Sequence, residues 1–282
     1  KWVGDGHPAY IVAEIGINHN GALGIAKELI QAGRHAGVDA VKFQKRTPEL
    51  CVPLDQRNQM RETPWGYISY IDYRYKVELT EKEYDEVDRY AHEIGMDWFA
   101  SVWDEPSVDF LEKYNPIAYK VPSASLTDFN LLKHLRKTGR PLILSTGMST
   151  LDQIKSAVSL IGEDNLIITH ATSAYPCDPY ELNLRMILTL RDMFNCPIGY
   201  SGHEVGLVTS AVAVGLGACL IERHITLDRA LWGSDQAASV EPGGFEKLVK
   251  YIRVTEAAVG DGVKKVYDSE MSSLRKLRRI KD

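Results

Sequence analysis

What most constrains the fold of this chain is a repeated alternation of short apolar, β-branched runs with stretches of helical spacing. Eight runs read as strands: Tyr10–Gly16, Ala40–Lys45, Trp98–Trp103, Ala118–Ser123, Pro141–Gly147, Leu166–Ser173, Ile198–His203 and Cys219–Thr226. The clearest helical stretches between them are Thr80–Ile94, Leu151–Ile161, Leu184–Phe194 and Phe245–Val259. In the second of these, Leu151, Ile154, Val158 and Ile161 recur three or four residues apart and so share one face. Strands that are apolar on both sides and separated by helices predict a parallel sheet covered by helices. Eight such units in 282 residues predict an α/β fold closed into a (β/α)8 TIM barrel, which takes roughly 250 residues. The competing open, doubly wound sheet would carry a Gly-rich phosphate loop after its first strand. Here that strand runs into Glu14-Ile15-Gly16-Ile17-Asn18-His19-Asn20-Gly21, without a GxGxxG pattern.

One connection, from about Thr47 to Glu78, is long for a compact domain and rich in aromatic residues: Trp65, Tyr67, Tyr70, Tyr73 and Tyr75. Two readings stand open for it, an Ω-loop packed by its own aromatics and a lid over a substrate. No Pro-, Gly- or Ser-rich linker divides the chain, so one barrel domain is expected over residues 1–270. A basic tail follows over 271–282, with Arg275, Lys276, Arg278, Arg279 and Lys281. A net charge of −5 and the lack of any other basic cluster speak against nucleic acid as a partner. No apolar run reaches the roughly 18 residues of a membrane span, and the N-terminus lacks the apolar stretch of a signal peptide. Cys51, Cys177, Cys196 and Cys219 show neither CxxC spacing nor the density of a disulfide scaffold. Reduced thiols and a cytoplasmic location are the expectation.

In barrels of this kind the chemistry sits at the C-terminal strand ends. Polar residues recur at those ends here: Glu14, Lys42 with Gln44, Ser101, Lys120 with Ser123, Ser145 with Thr146, Thr172 with Ser173, Ser201 with His203, and His224 after Glu222. Each alone has an ordinary structural explanation, but recurrence on eight strands points to a site. Lys42 and Lys120 lie within apolar strands, where an unpaired ammonium is costly, so each needs an anion; a phosphate or a carboxylate would serve. His203 and His224 lie on adjacent strands, and their imidazoles can converge on one divalent ion with open positions. Glu14, on the strand that closes the barrel beside the eighth, could supply a carboxylate or bind metal-bound water.

The ordered motifs Ala13-Glu14-Ile15-Gly16-Ile17-Asn18-His19-Asn20-Gly21, Val41-Lys42-Phe43-Gln44 and Tyr119-Lys120-Val121-Pro122-Ser123 resemble those of the sialic acid synthase family. Leu144-Ser145-Thr146-Gly147-Met148-Ser149, His170 to Pro176, Gly199-Tyr200-Ser201-Gly202-His203 and Glu222-Arg223-His224-Ile225-Thr226 extend the resemblance across the barrel, with Asp235 beyond. The resemblance implies a homodimeric enzyme that condenses phosphoenolpyruvate with an N-acetylmannosamine-like aldose, cleaving C–O and releasing phosphate. It assigns Lys42, Ser101, Lys120, Ser123, Ser145 and Ser201 to phosphoenolpyruvate, with Ser173 beside them. His203 and His224 would hold Mn2+, or Mg2+ or Co2+; Glu14 would act as acid/base or position the attacking water; Gln44, Tyr175 and Asp235 would face the sugar. Two rival functions are a Schiff-base aldolase using Lys42 or Lys120, and a non-catalytic barrel that binds sugar phosphates.

Two departures from the family pattern are visible. An acidic residue that touches the sugar is usual where this chain has Ser125. A C-terminal antifreeze-like domain is also usual, and a single-domain barrel without it is expected here. From these we expect the Trp65–Tyr75 loop to stand in for part of that cap, and the enzyme to accept an aldose other than N-acetylmannosamine, or to accept that one poorly.

Overall fold

The computed structural model describes residues 1–280; Lys281 of the expected basic tail lies outside them. Among the described residues ten strands form: β1 (Tyr10–Gly16), β2 (Ala40–Lys45), β3 (Met60–Thr63), β4 (Gly66–Ser69), β5 (Asp97–Val102), β6 (Tyr119–Val121), β7 (Leu142–Ser145), β8 (Leu166–Ala171), β9 (Ile198–Gly202) and β10 (Leu220–His224). All but β3 and β4 pair in parallel and close into a barrel in the order β1-β10-β9-β8-β7-β6-β5-β2. The eight expected strands are therefore all present. Most end a residue or two early, because the chain leaves the ladder at the mouth. Beyond β6, for example, Pro122 has no N–H to donate and residues Ser123–Ser125 coil into a tight 3-10 turn.

Among the described residues eight helices cover the barrel: Leu23–Ala36, Glu81–Glu93, Glu105–Glu112, Phe129–Lys137, Leu151–Ile161, Met186–Met193, Val208–Gly215 and Pro242–Val259. Sequence-local signals fix several of their starts. Thr80 with Glu83, and Thr150 with Gln153, form reciprocal capping boxes. Pro242 sits at the first helical position, where its missing N–H costs nothing. The last barrel helix ends at Val259, ahead of the expected boundary at 270; beyond it Met271–Leu277 forms a short helix on a largely exposed stretch. No described helix is long and apolar enough to cross a membrane.

The 47–78 connection is not an irregular loop. It holds a turn of helix at Pro48–Cys51, the antiparallel hairpin β3–β4 and a helix at Tyr70–Val77 whose N-cap is Ser69. Ile17, Tyr73 and Val77 make its small buried core. Its aromatics reach across the mouth: the Tyr73 and Trp65 rings lie 5.3 and 6.3 Å from Trp232, in the segment after β10. Gly21 marks the crossing. A Cβ there would fall 2.0 Å from the Lys76 carbonyl oxygen, and its φ of +70° suits glycine.

Candidate active site

Side chains alternate along a strand, so one face of each barrel strand points inward with a period of two. The inward positions at the floor are apolar: Tyr10, Val12, Ala40, Phe99, Ala118, Ile143 and Leu220 pack together and plug the barrel. Two residues further along, the same faces turn polar. Val12 is followed by Glu14, Ala40 by Lys42, Phe99 by Ser101, Ala118 by Lys120, Ile143 by Ser145 and Leu220 by Glu222, all of them buried. A third tier adds Gln44 and His224, with His203 just past β9. The chain thus builds a polar floor on an apolar plug at the C-terminal mouth.

Within one cavity the structure gathers Glu14, Lys42, Gln44, Ser101, Lys120, Ser123, Ser145, Ser173, Tyr175, Ser201, His203 and His224. Asp235 is not on its wall; it stands behind His224, with Oδ2 3.8 Å from Nδ1. Ser125 also turns away, buried in the 3-10 turn, while its neighbour Ala124 lines the cavity. Thr146 and Thr172 are spent on the frame: their hydroxyls donate to the carbonyls of Thr169 and Glu181. Ser123 Oγ accepts the Gly147 N–H at 3.0 Å. A Cβ at Gly147 would lie 2.2 Å from Ser173 Oγ, so only glycine lets those two serines approach the same point.

The sequence calls for an anion, a phosphate or a carboxylate, beside each of Lys42 and Lys120. In the fold both have carboxylate partners. Lys42 Nζ lies 2.8 Å from Glu14 Oε2 and 3.6 Å from Glu222 Oε1. Lys120 Nζ donates to both oxygens of Glu222 at 3.1 Å, and Ser201 Oγ donates to Oε1 at 3.1 Å. Gln44 Nε2 donates to Glu14 Oε1 at 3.1 Å. Burial opposes the charge on every member of this cluster. For Glu222 the two ammoniums outweigh burial and hold the carboxyl down at about 2. For Glu14 burial wins, helped by the Glu222 charge, and its pKa rises despite Lys42. For Lys42 the two carboxylates outweigh burial and raise its pKa, whereas Lys120 is lowered by burial, with Lys42 adding to the effect against Glu222.

Comparison with known proteins places this arrangement. The model of the NeuB family matches residues 29–264, most of the barrel. This chain belongs to the NeuB family. Human N-acetylneuraminate-9-phosphate synthase is 39% identical to it, over 98% of this chain and 78% of that protein. N,N'-diacetyllegionaminic acid synthase of Legionella pneumophila is 35% identical over 98% of this chain and 80% of its own length. The crystal structure of the N-acetylneuraminic acid (sialic acid) synthetase of Leptospira borgpetersenii, in complex with citrate, superposes with a TM-score of 0.87 at 29% identity, covering 99% of this chain and 95% of that one.

As a NeuB barrel, the chain presents two imidazoles to its cavity. Their ring centroids are 5.6 Å apart, and the Tyr175 ring packs 4.2 Å from that of His203. His203 Nδ1 is committed to the Thr172 carbonyl at 2.8 Å, which fixes the ring. Burial and the nearby His224 push its pKa down to about 3, so it stands neutral, as a metal ligand must. His224 Nδ1 is buried without a hydrogen-bond partner. Among the described residues no three His, Cys, Asp or Glu side chains converge as a closed metal cage. If a divalent ion binds here, His203 and His224 would be its protein ligands, as in an open site. Sequence reasoning gives no role to Glu222 or to Trp103, both of which line the cavity. The period of two would have found Glu222, because it stands two residues before His224 and two after the inward Leu220.

Proposed function

We propose that this chain condenses phosphoenolpyruvate with an aldehyde sugar to give a 3-deoxy-2-keto sugar acid of the sialic acid kind. The observation that carries this reading is the pair of buried lysines, Lys42 and Lys120, facing two histidines across one cavity in a NeuB barrel. In the reaction C3 of phosphoenolpyruvate forms a bond to the aldehyde carbon. Water adds at C2, and the C2–O bond to phosphorus breaks, so that phosphate leaves with the bridging oxygen. Lys42 and Lys120 bind the anionic groups of phosphoenolpyruvate, and the hydroxyls of Ser101, Ser123, Ser145 and Ser201 complete a preorganised donor set. Glu14, whose pKa is raised by burial and by the Glu222 charge, serves as acid/base. Gln44 and Tyr175, on the cavity wall, orient the sugar, and Asp235 stands behind His224. A divalent cation held by His203 and His224, with Mn2+ preferred over Mg2+ or Co2+, would polarise the aldehyde oxygen.

A Schiff-base aldolase would need a free amine, and both amines here are ion-paired. That supports lysines acting as charged anion binders. The test is phosphate release from phosphoenolpyruvate carrying 18O in the bridging position, with and without EDTA. The label should appear in inorganic phosphate, and chelation should stop turnover until Mn2+ is restored. Label retained in the keto acid, or an aldol product without phosphate, would overturn the reading. Lys42→Ala and Lys120→Ala should each lower kcat/KM for phosphoenolpyruvate by roughly ten- to a hundredfold, the worth of one charge-assisted contact. Wild-type kinetics in both would move the phosphate site elsewhere.

A further inference from the structure

The mouth of the barrel carries a group of cations that the proposed chemistry does not use. Arg46, just past β2, is buried to 5% exposure, and its guanidinium stacks 3.8 Å from the Trp103 ring on the cavity wall. It donates to Gln44 Oε1, and so continues the polar chain that runs from Lys42 through Glu14 and Gln44. Arg61 of β3 lies 3.9 Å over the Tyr70 ring and 5.7 Å from the Tyr73 ring. Arg74, from the Tyr70–Val77 helix, lies 5.2 and 5.6 Å from the same two rings and donates through two nitrogens to the Tyr70 hydroxyl.

Four N–H donors in this patch are buried with no acceptor: Arg46 Nε, Arg61 Nε, Arg74 Nη1 and Trp103 Nε1. Buried donors are nearly always satisfied, so such a concentration calls for an occupant. Among the described residues no carboxylate comes within 4.0 Å of any of the three guanidiniums, and the nearby acids are engaged elsewhere. Glu78 pairs with Lys45. Asp104 accepts from Thr47, Cys51 and Ser107. Burial, with the neighbouring Arg74 adding to it, lowers the Arg46 pKa to about 10 against the pull of Glu78. Stacked arginines with unmade in-plane bonds match the several oxygens of a phosphate group.

We infer that Arg46, Arg61 and Arg74 form a phosphate subsite, and that the aldose substrate carries a terminal phosphate. The inference rests on the sugar-condensing reading of the cavity and deepens it. The aldehyde end lies toward His203 and His224, and the phosphate end beneath the β3–β4 hairpin.

The experiment compares wild-type, Arg61→Gln and Arg74→Gln proteins with N-acetylmannosamine 6-phosphate and with N-acetylmannosamine. Turnover is read as phosphate release, and binding as quenching of tryptophan fluorescence, with inorganic phosphate as a separate ligand. Wild type should prefer the phosphorylated sugar, and each variant should reduce the ratio of kcat/KM between the two sugars by about ten- to a hundredfold. The loss should lie in KM for the sugar. An unchanged ratio in both variants, or a preference of wild type for the unphosphorylated sugar, overturns the inference. So does equal binding of both sugars with tight, arginine-dependent binding of inorganic phosphate alone, which would mark a product or effector site. If neither sugar turns over, the condensation reading fails by itself. Fluorescence then decides the subsite: arginine-dependent binding of the sugar phosphate sustains it, and its absence ends it.

Discussion

Replacing Glu204 with alanine is expected to destabilise the barrel by about 3–5 kcal/mol, the usual effect of stranding one partner of a buried ion pair. Arg223 of β10 and Glu204 just past β9 have no exposed side-chain surface and meet at 3.0 Å. Tyr200 donates its hydroxyl to the other carboxylate oxygen at 2.8 Å, and Arg223 also donates to Ser210 Oγ and to the carbonyls of Gly206 and Glu204. Burial pulls the arginine pKa down against the pull of Glu204, yet a guanidinium cannot shed its proton at neutral pH. In the Glu204→Ala protein its charge stays buried without a counter-ion. Urea unfolding at pH 7 measures the loss, and a change below about 1 kcal/mol, the scale of an exposed pair, would show that the pair does not hold the barrel. The combination Glu204→Leu with Arg223→Met should be far milder than either single change, because it removes both charges together.

Glu14→Gln is expected to reduce kcat by about a hundred- to ten-thousandfold, as loss of a positioned acid/base does. The amide keeps the shape and can still meet Gln44, but it cannot exchange a proton at Oε2, which in the native protein lies 2.8 Å from Lys42. Single-turnover phosphate release with saturating phosphoenolpyruvate reads the step directly. A variant that retains more than a tenth of wild-type kcat would remove Glu14 from the proton-transfer role.

Much of this molecule can be read from its sequence. The eight strands and the capped helices announce themselves through period and end signals, and the cavity residues through their recurrence at strand ends. What stayed hidden had physical causes. The partner of Lys120 lies 102 residues away, across the barrel, so its pairing appears only when the sheet closes. Glu222 is also disguised by its neighbour: in Leu220-Ile221-Glu222-Arg223-His224 the arginine points outward yet is fully buried, which blurs the inward and outward faces. The 47–78 segment read as a loop because its strands have four residues each and its Tyr70–Val77 helix has no clean apolar face. Its aromatic residues find partners in Trp232, a contact that sequence spacing cannot reveal. Asp235, assigned by resemblance, and Ser125, at the position where the family has an acid, lie off the cavity wall because local turns rotate them away from it.

The carboxylate partners of the two lysines carry a thermodynamic consequence. The cavity already balances two ammoniums with two carboxylates, so an incoming anion must share or displace Glu14 and Glu222. A carboxylate that loses its ammonium and gains a negative neighbour in a buried setting rises in pKa and takes up a proton, and Glu14, already raised, would be the first to do so. Ligand binding is therefore linked to proton uptake, and affinity for phosphoenolpyruvate should strengthen as pH falls toward the range where Glu14 protonates. Calorimetric titrations in buffers of different ionisation enthalpy would then give different heats for the same association, and the slope would count the protons that enter with the anion.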